Sequence, residues 1–306
     1  MSFQIIFMGT PEFAIDTLDS IIKEGHKVIR VYTQPPNKKQ RGQKVLKSPV
    51  HLAAERLKLD IKTPNNLSDN EDFLFFKNSK IDIVVVAAYG KIIPEKFLRL
   101  PKITYLNLHA SLLPKWRGAA PIERSILNLD CETGVSIMKI INKLDEGPFM
   151  IQKKVTIEKD TTKGELEKKL SLIGADAIIE ALKIIAHGNV KFTEQDHSKS
   201  SYAKKIEKFE LKINWKDKAK NIIAKINAFN PKPGAWFFFK EQRIKILRAK
   251  EINLKGKPGE ILDDDMTIGA GQNSVKILEL QKEGKSVLSS KEFLRGNKFQ
   301  KGTQLP

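Results

Sequence analysis

The sequence predicts a doubly wound α/β domain with a mostly parallel sheet, followed by a smaller β-barrel domain. In the first half, short apolar segments alternate with helical segments, which is typical of a parallel sheet covered by helices. The last third instead contains short strand-like segments separated by Gly and Pro, as in a small barrel. At 306 residues the chain is long enough for each domain to have its own hydrophobic core.

The first strand is predicted at 3–8 and ends at Gly9. Thr10 is expected to cap the next helix, with Pro11 at its first position and Glu12 complementing the helix dipole. The other strands of this half are predicted from apolar or alternating runs, and its helices from helical periodicity. The strands cover 28–33, 81–88 and 103–109, and the helices cover 11–23, 48–58 and 67–78.

The remaining elements indicate a domain boundary near residue 190. After Pro121 we expect a short helix, then strands at 135–141 and 149–157 and a long helix at 162–186. A His-Gly-Asn sequence stops that helix, and a polar, irregular stretch follows. Beyond it we expect a helix at 215–229 and short strands or turns at 236–248, 260–270, 275–280 and 293–294. The prediction is therefore a first domain at 1–187, a linker at 188–205 and a second domain at 206–306.

The charge of the chain favours a polyanionic partner. The formal net charge is +18, and from Lys204 to the end there are 23 basic and 12 acidic residues.

No apolar run reaches the roughly 18 residues of a membrane span, and the amino terminus lacks the basic leader of a signal peptide. Cys131 is the single cysteine, which excludes an intrachain disulfide. We expect a cytoplasmic protein.

The segment Tyr105–Pro121 carries the strongest chemical signal. It begins as an alternating strand that places Asn107 and His109 on the same face. A loop follows, which Pro114 and Gly118 keep from becoming helical. In doubly wound sheets, ligands bind beyond the carboxyl ends of the strands, where this pair lies. An amide can stabilise an oxyanion and an imidazole can transfer a proton near neutral pH, so the pair predicts acyl-transfer chemistry.

Several other chemistries lack their motifs. No Gly-x-Gly-x-x-Gly follows the first strand, which argues against a nicotinamide cofactor. A phosphate-binding Gly-x-x-x-x-Gly-Lys-Ser/Thr and a nucleophilic Gly-x-Ser-x-Gly are also missing. The five histidines do not have the spacing of metal ligands. We therefore expect neither a metal nor a covalent serine mechanism.

Four segments resemble the folate-dependent formyltransferases, and they follow the order of that family. They are Phe7–Ala14, Tyr105–Pro121 with its Asn-x-His and Ser-Leu-Leu-Pro, Leu144–Pro148 where the family has Leu-Asp-Thr-Gly, and Ala228–Trp236 near the carboxyl end. The similarity is greatest to the branch that formylates methionyl-tRNA. It implies a Rossmann-like formyltransferase domain and an OB-like β-barrel that binds tRNA. It also implies transfer of the formyl group of 10-formyltetrahydrofolate to the α-amino group of initiator methionyl-tRNA.

The resemblance also implies roles for individual residues. Asn107 and a protonated His109 would stabilise the oxyanion, and Asp145 would orient His109 and help to move the proton. The folate pocket would be lined by Ser111, Leu112, Leu113 and Pro114, with the turn 89–92 as a further wall. The loop Gln34–Lys47, which has five basic residues and no acidic one, would approach the acceptor stem. Its expected tRNA-binding residues are Arg41, Lys38, Lys39 and Lys44.

Three positions depart from the family pattern. Lys143 and Glu146 flank Leu144-Asp145 where the family has Gly and Thr, so a hydroxyl-mediated contact at that turn is not expected. In the basic loop, Gln40 precedes Arg41 where the family has Gly.

Two other classes of function remain open from the sequence. One is a formyltransferase for a small-molecule amine, such as a sugar nucleotide or glycinamide ribonucleotide, or a formyltetrahydrofolate hydrolase. These enzymes share the Asn, His, Asp group but need neither the basic loop nor a basic barrel. The other is a non-catalytic RNA-binding module, which the intact Asn107, His109 and Asp145 disfavour. We expect a monomer without membrane contact.

Overall fold

The computed structural model describes residues 1–38, 45–67, 69–100, 104–297 and 299–306. The chain divides into two compact units. Unit 1 comprises residues 1–121, 132–155 and 167–203, and unit 2 comprises residues 122–131, 156–166 and 204–306. The segment 188–205, which the sequence predicts as a linker, thus belongs to unit 1 as far as Ala203.

The chain up to Ala203 alternates strands and helices, as expected. Its strands are β1 (Gln4–Gly9), β2 (Lys27–Tyr32), β3 (Asn37–Lys38), β4 (Val45–Leu46), β5 (Ile61–Lys62), β6 (Ile83–Ala87), β7 (Thr104–His109), β8 (Arg117–Gly118), β9 (Glu132–Lys139), β10 (Phe149–Thr156) and β11 (Tyr202–Ala203). Its helices are α1 (Ile15–Lys23), α2 (Pro49–Arg56), α3 (Asn70–Asn78), α4 (Glu95–Leu98), α5 (Pro121–Leu127) and α6 (Lys163–Ala186).

Seven of these strands form one sheet, in the order β10-β9-β7-β6-β1-β2-β5. The pairs β1–β2, β1–β6, β2–β5 and β6–β7 are parallel, and β7–β9 is antiparallel. All five residues of β6 are buried, as expected for a central strand covered on both faces. The predicted doubly wound, mostly parallel sheet is confirmed. The adjacent parallel strands β6 and β7 end at the same edge of the sheet.

The start of the first helix differs from the prediction. A short 3-10 turn covers Glu12–Ala14, its cap is Pro11, and no side chain caps it. Thr10 is not the N-cap, because its hydroxyl donates a hydrogen bond of 2.9 Å to the carbonyl of Tyr89. The carboxyl ends of β1 and β6 are thus tied together by a contact that local sequence does not show.

The main segment of unit 2, from Lys204 onward, contains an antiparallel sheet and two α-helices. It comprises α7 (Ala219–Phe229), β12 (Ala235–Phe239), β13 (Gln242–Ile252), β14 (Thr267–Gly269), β15 (Ser274–Lys282), β16 (Val287–Ser289) and α8 (Ser290–Gly296). The sheet order is β12-β13-β15-β14, and β16 also pairs with β15. These strands form the antiparallel half-barrel that the expected OB-like domain requires. No helix among the described residues is both long enough and apolar enough to cross a membrane.

One prediction for unit 2 is wrong. Residues 293–294, expected as a strand or turn, lie in α8. This helix begins at a capping box, in which Ser289 accepts from the backbone of Glu292 and Glu292 accepts from that of Ser289. The buried Phe293 then packs at 5.8 Å from the ring of Phe299. A capped helix of seven residues, with Phe293 and Leu294 as its large apolar side chains, gives little periodicity for a sequence-based prediction.

Candidate active site

Asn107 and His109 lie at the carboxyl end of β7, where the sequence places them. Asn107 pairs with Val86 of β6, and His109 is opposite Ser136 of β9. The His109 ring is buried, and its Nε2 donates to the carbonyl oxygen of Trp116 at 2.9 Å. The Asn107 side chain is half-buried and makes no hydrogen bond to a described residue. Its amide is therefore available to a ligand.

Asp145 lies beside His109, on the turn that follows β9. Its Oδ2 is 3.7 Å from Nδ1 of His109 and accepts a 2.8 Å hydrogen bond from the backbone N–H of Gly118. Asp145 has φ 51°, a left-handed conformation that is uncommon for a non-glycine residue. Gly147 is required in the same turn, because a Cβ there would lie 1.9 Å from the Lys139 carbonyl oxygen. The three predicted catalytic residues are brought together at one edge of the sheet.

The arrangement of His109 suits proton transfer. The Trp116 carbonyl can only accept, so the Nε2 of His109 carries a proton. The other ring nitrogen faces the Asp145 carboxylate, at a distance slightly beyond a hydrogen bond. Catalytic hydrogen bonds are often this long without substrate and shorten in the reacting complex. A second proton on the ring would be held next to a negative charge.

The loop after β7 is fixed by a hydrogen bond within it and by hydrogen bonds to side chains of β9 and β10. The Ser111 hydroxyl donates to the Lys115 carbonyl, and the Ser136 hydroxyl donates to the Ser111 carbonyl. Ser136 also accepts from the backbone N–H of Leu113, while the Gln152 amide donates to the Leu113 carbonyl. Of the predicted folate-pocket residues, Ser111 and Leu113 are therefore buried in this network. Leu112 and Pro114 are only partly buried.

The turn after β6 forms a neighbouring part of the same edge. The Tyr89 carbonyl accepts from Thr10 and from the Gln34 amide at 3.1 Å. Burial, and to a lesser extent the nearby Asp72, raises the pKa of the Tyr89 phenol to about 12, so this ring stays neutral. Ile92 is 88% exposed, and Leu144, next to Asp145, is 65% exposed.

Residues 39–44 of the predicted tRNA-binding loop lie outside the part of the chain that the structure describes. Lys39, Arg41 and Lys44 are not among the described residues. Lys38 lies in β3, which pairs with β4, and its side chain is not described. The tRNA-binding role of these four residues therefore stays a prediction.

Sequence reasoning missed two buried residues of the site. Arg117 is 1% exposed, and Gln195, 78 positions later, accepts two hydrogen bonds from it. Gln195 in turn donates to the carbonyls of Asp145 and Gly147. Arg117 lies in the motif Trp-Arg-Gly-Ala-Ala-Pro, and this motif could have indicated that Arg117 belongs to the site. Nothing in the polar segment around Gln195 indicated its partners.

Two family models match the chain. One, described as formyl transferase, matches residues 1–182, and the other, described as formyl transferase, C-terminal domain, matches residues 205–298. The chain belongs to the formyl transferase family. The resemblance found in its sequence is confirmed, and the protein is an enzyme of this family.

The formyltransferase relatives cover the whole chain. The methionyl-tRNA formyltransferase of Pelagibacter ubique is 46% identical over 307 residues, covering 100% of this chain and 99% of the relative. The methionyl-tRNA formyltransferase of a Chelativorans species is 40% identical over 310 residues, with 100% of both chains covered. The similarity to these two relatives thus extends over the full length of the chain.

Solved structures of lower identity show the same fold. HypX from Aquifex aeolicus, in complex with tetrahydrofolic acid, matches with a TM-score of 0.67 and 18% identity, covering 96% of this chain and 47% of HypX. The chain thus spans about half the length of HypX. WlaRD, a sugar 3N-formyl transferase, matches with a TM-score of 0.69 and 22% identity, covering 94% of this chain and all of WlaRD. These two structures agree with the predicted fold class.

Proposed function

We propose that this formyltransferase transfers the formyl group of 10-formyltetrahydrofolate to the α-amino group of initiator methionyl-tRNA, and that it acts in the cytoplasm. The observation that carries the proposal is the group Asn107, His109 and Asp145 at one strand end, in a chain 46% identical over its whole length to a methionyl-tRNA formyltransferase. The small-amine formyltransferases and the formyltetrahydrofolate hydrolases would share the same three residues. The full-length relatives favour methionyl-tRNA as the acceptor.

The edge of the sheet fits a folate. A pterin is a flat ring with polar edges, and the exposed Ile92 and Leu144 offer apolar contact beside backbone groups of the loop. Leu112 is accommodated by Gly134, because a Cβ at that position would lie 2.6 Å from the Leu112 side chain. We propose that Ser111, Leu112, Leu113 and Pro114 line this pocket. That the reaction needs no metal stays a prediction.

The folate supplies a formyl group bonded to a nitrogen that can leave once it is protonated. The methionyl amine, neutral in useful proportion since its unperturbed pKa is near ~8, bonds to the formyl carbon. Asn107 donates from its free amide to the formyl oxygen as negative charge develops there, and the protonated His109 lies beside it. The protonated His109 gives a proton to the leaving nitrogen, and the proton that the amine loses then restores the charge of the His109–Asp145 pair. The products are formylmethionyl-tRNA and tetrahydrofolate.

We propose that the tRNA contacts two basic regions. One is the loop Gln34–Lys47, through Arg41, Lys38, Lys39 and Lys44. The planar guanidinium of Arg41 suits a phosphate or an unpaired base. The other is unit 2, whose main segment from Lys204 carries 23 basic and 12 acidic residues. In this proposal the chain acts as a monomer, with a catalytic domain at 1–187 and a tRNA-binding domain at 206–306.

The test is an acceptor panel. The protein is incubated with 10-formyltetrahydrofolate and either methionylated initiator tRNA, free methionine, a nucleotide-linked amino sugar or no acceptor. We expect rapid formyl transfer to the tRNA and little reaction in the other three. Preferred transfer to the amino sugar, or release of formate without an acceptor at the same rate, would replace the tRNA proposal with the corresponding alternative.

A further inference from the structure

Arg117 is a buried cation that the reaction chemistry does not use directly. Its Nε and Nη2 both donate to Oε1 of Gln195, at 3.0 and 2.8 Å, and Nη2 lies 3.2 Å from Nδ1 of His197. Removing a guanidinium from water is unfavourable unless its donors find partners. Here most of that pairing comes from a single neutral amide, Gln195. An arrangement of this kind holds Gln195 in one orientation.

Gln195 in turn holds the backbone of the turn that carries Asp145. With its oxygen held by Arg117, its Nε2 donates to the carbonyls of Asp145 and Gly147, at 2.8 and 2.6 Å. The turn needs this support, because the positive φ of Asp145 is unfavourable for a side chain with a Cβ. The two hydrogen bonds fix the backbone on both sides of Glu146. They therefore set where the Asp145 carboxylate lies relative to His109.

The same segment also holds the partner of His109. The Ser201 hydroxyl accepts from the backbone N–H of Trp116, and the Ser201 carbonyl accepts from that of Arg117. Trp116 provides the carbonyl to which His109 donates. Residues 195–201, which the sequence assigns to a linker, are thus bonded to the loops that fix both His109 and Asp145.

Glu146 provides the opposite charge. One of its carboxylate oxygens lies 3.5 Å from Nη1 of Arg117, and the other lies 3.8 Å from Nδ1 of His197. This is the position at which the family has Thr. The carboxylate next to Arg117 compensates the charge of the buried cation.

We propose that Gln195 and Arg117 are positioning residues, which set the geometry between Asp145 and His109, with Glu146 as the counter-charge of Arg117. The inference rests on the proposed roles of His109 and Asp145 in formyl transfer. A displacement of about 1 Å at reacting groups can lower a rate by about a hundredfold, so the orientation of one amide is enough to matter.

The experiment uses Gln195→Glu in the full-length enzyme. This change keeps an oxygen for Arg117 but replaces the donor that faces the two carbonyls with a second oxygen. We expect kcat for formyl transfer to fall about 10- to 100-fold, with the KM of the folate and of the tRNA changed less than threefold. Glu194→Gln, at the exposed neighbouring position, is the matched control and should keep wild-type kinetics.

A double-mutant cycle separates positioning from general structural damage. If Gln195 acts through Asp145, adding Gln195→Glu to Asp145→Asn should lower kcat less than threefold further. Losses that multiply in the double variant would overturn the proposal, as would wild-type kcat in Gln195→Glu. If Gln195→Glu does not fold, the same cycle is run with Arg117→Lys, which keeps the charge but loses the planar set of donors. A wild-type enzyme that does not formylate tRNA would instead contradict the proposed function.

Discussion

At the scale of single residues, the three side chains of the site differ in whether their polar groups are hydrogen-bonded within the protein. His109 and Asp145 are each engaged by the protein, through Trp116 and Gly118 respectively. The Asn107 amide, by contrast, has no partner among the described residues although it is half-buried. Polar groups in such positions are normally hydrogen-bonded, so this amide is the one best suited to bind a charge that develops during the reaction.

Replacing Asn107 by Ala should therefore affect the reaction more than stability. We expect kcat to fall by two to three orders of magnitude, because one oxyanion donor typically contributes about 3–4 kcal/mol in the transition state. The melting temperature should change little, since no hydrogen bond within the described protein is lost. Steady-state kinetics with thermal unfolding of the same preparation checks both. Asn189→Ala, at an exposed position, is the control. If Asn107→Ala lowered kcat only slightly, Asn107 would not be the oxyanion donor.

The sequence predicted Asn107, His109 and Asp145 because each lies in a short motif at a strand end. It did not predict Gln195, because the partner of Gln195 is 78 residues away and no periodicity links the two. It also placed Thr10 in a helix cap, whereas the hydroxyl bonds across the sheet to Tyr89. Residues whose role depends on one long-range contact leave no local pattern to detect.

At the scale of elements, long periodic segments were predictable and very short ones were not. The sheet strands β1, β2, β6 and β7 lie within one or two residues of their predicted bounds. The two-residue strands β8 and β11 were missed, because each is defined only by its pairing with the other. This small parallel pair nevertheless joins the loop after β7 to the segment that contains Gln195.

Gly118 allows the two short strands to approach. Its φ of 112° lies outside the range of L-residues, and a Cβ there would lie 2.9 Å from the Ala203 carbonyl oxygen. We expect Gly118→Ala to lower the free energy of unfolding by about 2–4 kcal/mol and to lower kcat. The matched control is Gly188→Ala, which also has a positive φ but open space around it. That variant should lose only about 1 kcal/mol and keep its activity.

Chemical denaturation of the two glycine variants, followed by formyl-transfer kinetics, measures the difference. Equal losses in both would mean that backbone conformation alone matters, and that β8 and β11 do not need their close contact.

A second element-scale prediction concerns pH. In unit 2, Arg124 of α5 donates twice to the carboxylate of Glu210, at 2.6 and 3.0 Å, and chiefly for this reason the pKa of Glu210 lies below its ordinary value of 4.5. A lowered folded-state pKa stabilises the protein above the unfolded-state value, and this is lost as pH falls through the folded-state value. The pair is about one-fifth exposed, so its contribution is about 1 kcal/mol.

The difference in unfolding free energy between wild type and Arg124→Gln should thus shrink by about 1 kcal/mol from pH 6 to pH 3. Arg99→Gln, which removes an exposed ion pair with Glu95, should differ little from wild type at either pH. A gap between wild type and Arg124→Gln that persists unchanged at pH 3 would show that Arg124 stabilises the fold through its hydrogen bonds to the carbonyls of Lys204 and Lys205 instead.

At the scale of the whole molecule, the excess of basic residues should act through the salt dependence of tRNA binding. Each phosphate contact contributes a slope of about −0.7 to −0.9 to log K against log salt. Replacing Lys240, Arg243 and Lys245 on the β12–β13 hairpin by Gln should weaken binding and flatten that slope by about two units. The control triple is Lys23, Lys27 and Lys80, which are exposed and lie next to the starts of β2 and β6, the edge of the sheet away from the site.

Binding titrations of both triples against initiator tRNA at several salt concentrations give the two slopes. If the hairpin triple and the control triple lowered the slope equally, the basic residues would act only through net charge. Unit 2 would then have no tRNA-binding surface on this hairpin.

The central claim is that this chain formylates initiator methionyl-tRNA through the group at the end of β7. The most direct measurement is the single-turnover rate of formyl transfer from 10-formyltetrahydrofolate to methionylated initiator tRNA, for wild type and His109→Ala side by side. We expect efficient transfer by the wild type and a rate about two to three orders of magnitude lower for the variant, at similar folate and tRNA affinity. Equal rates in the two proteins, or no transfer by the wild type, would contradict the claim.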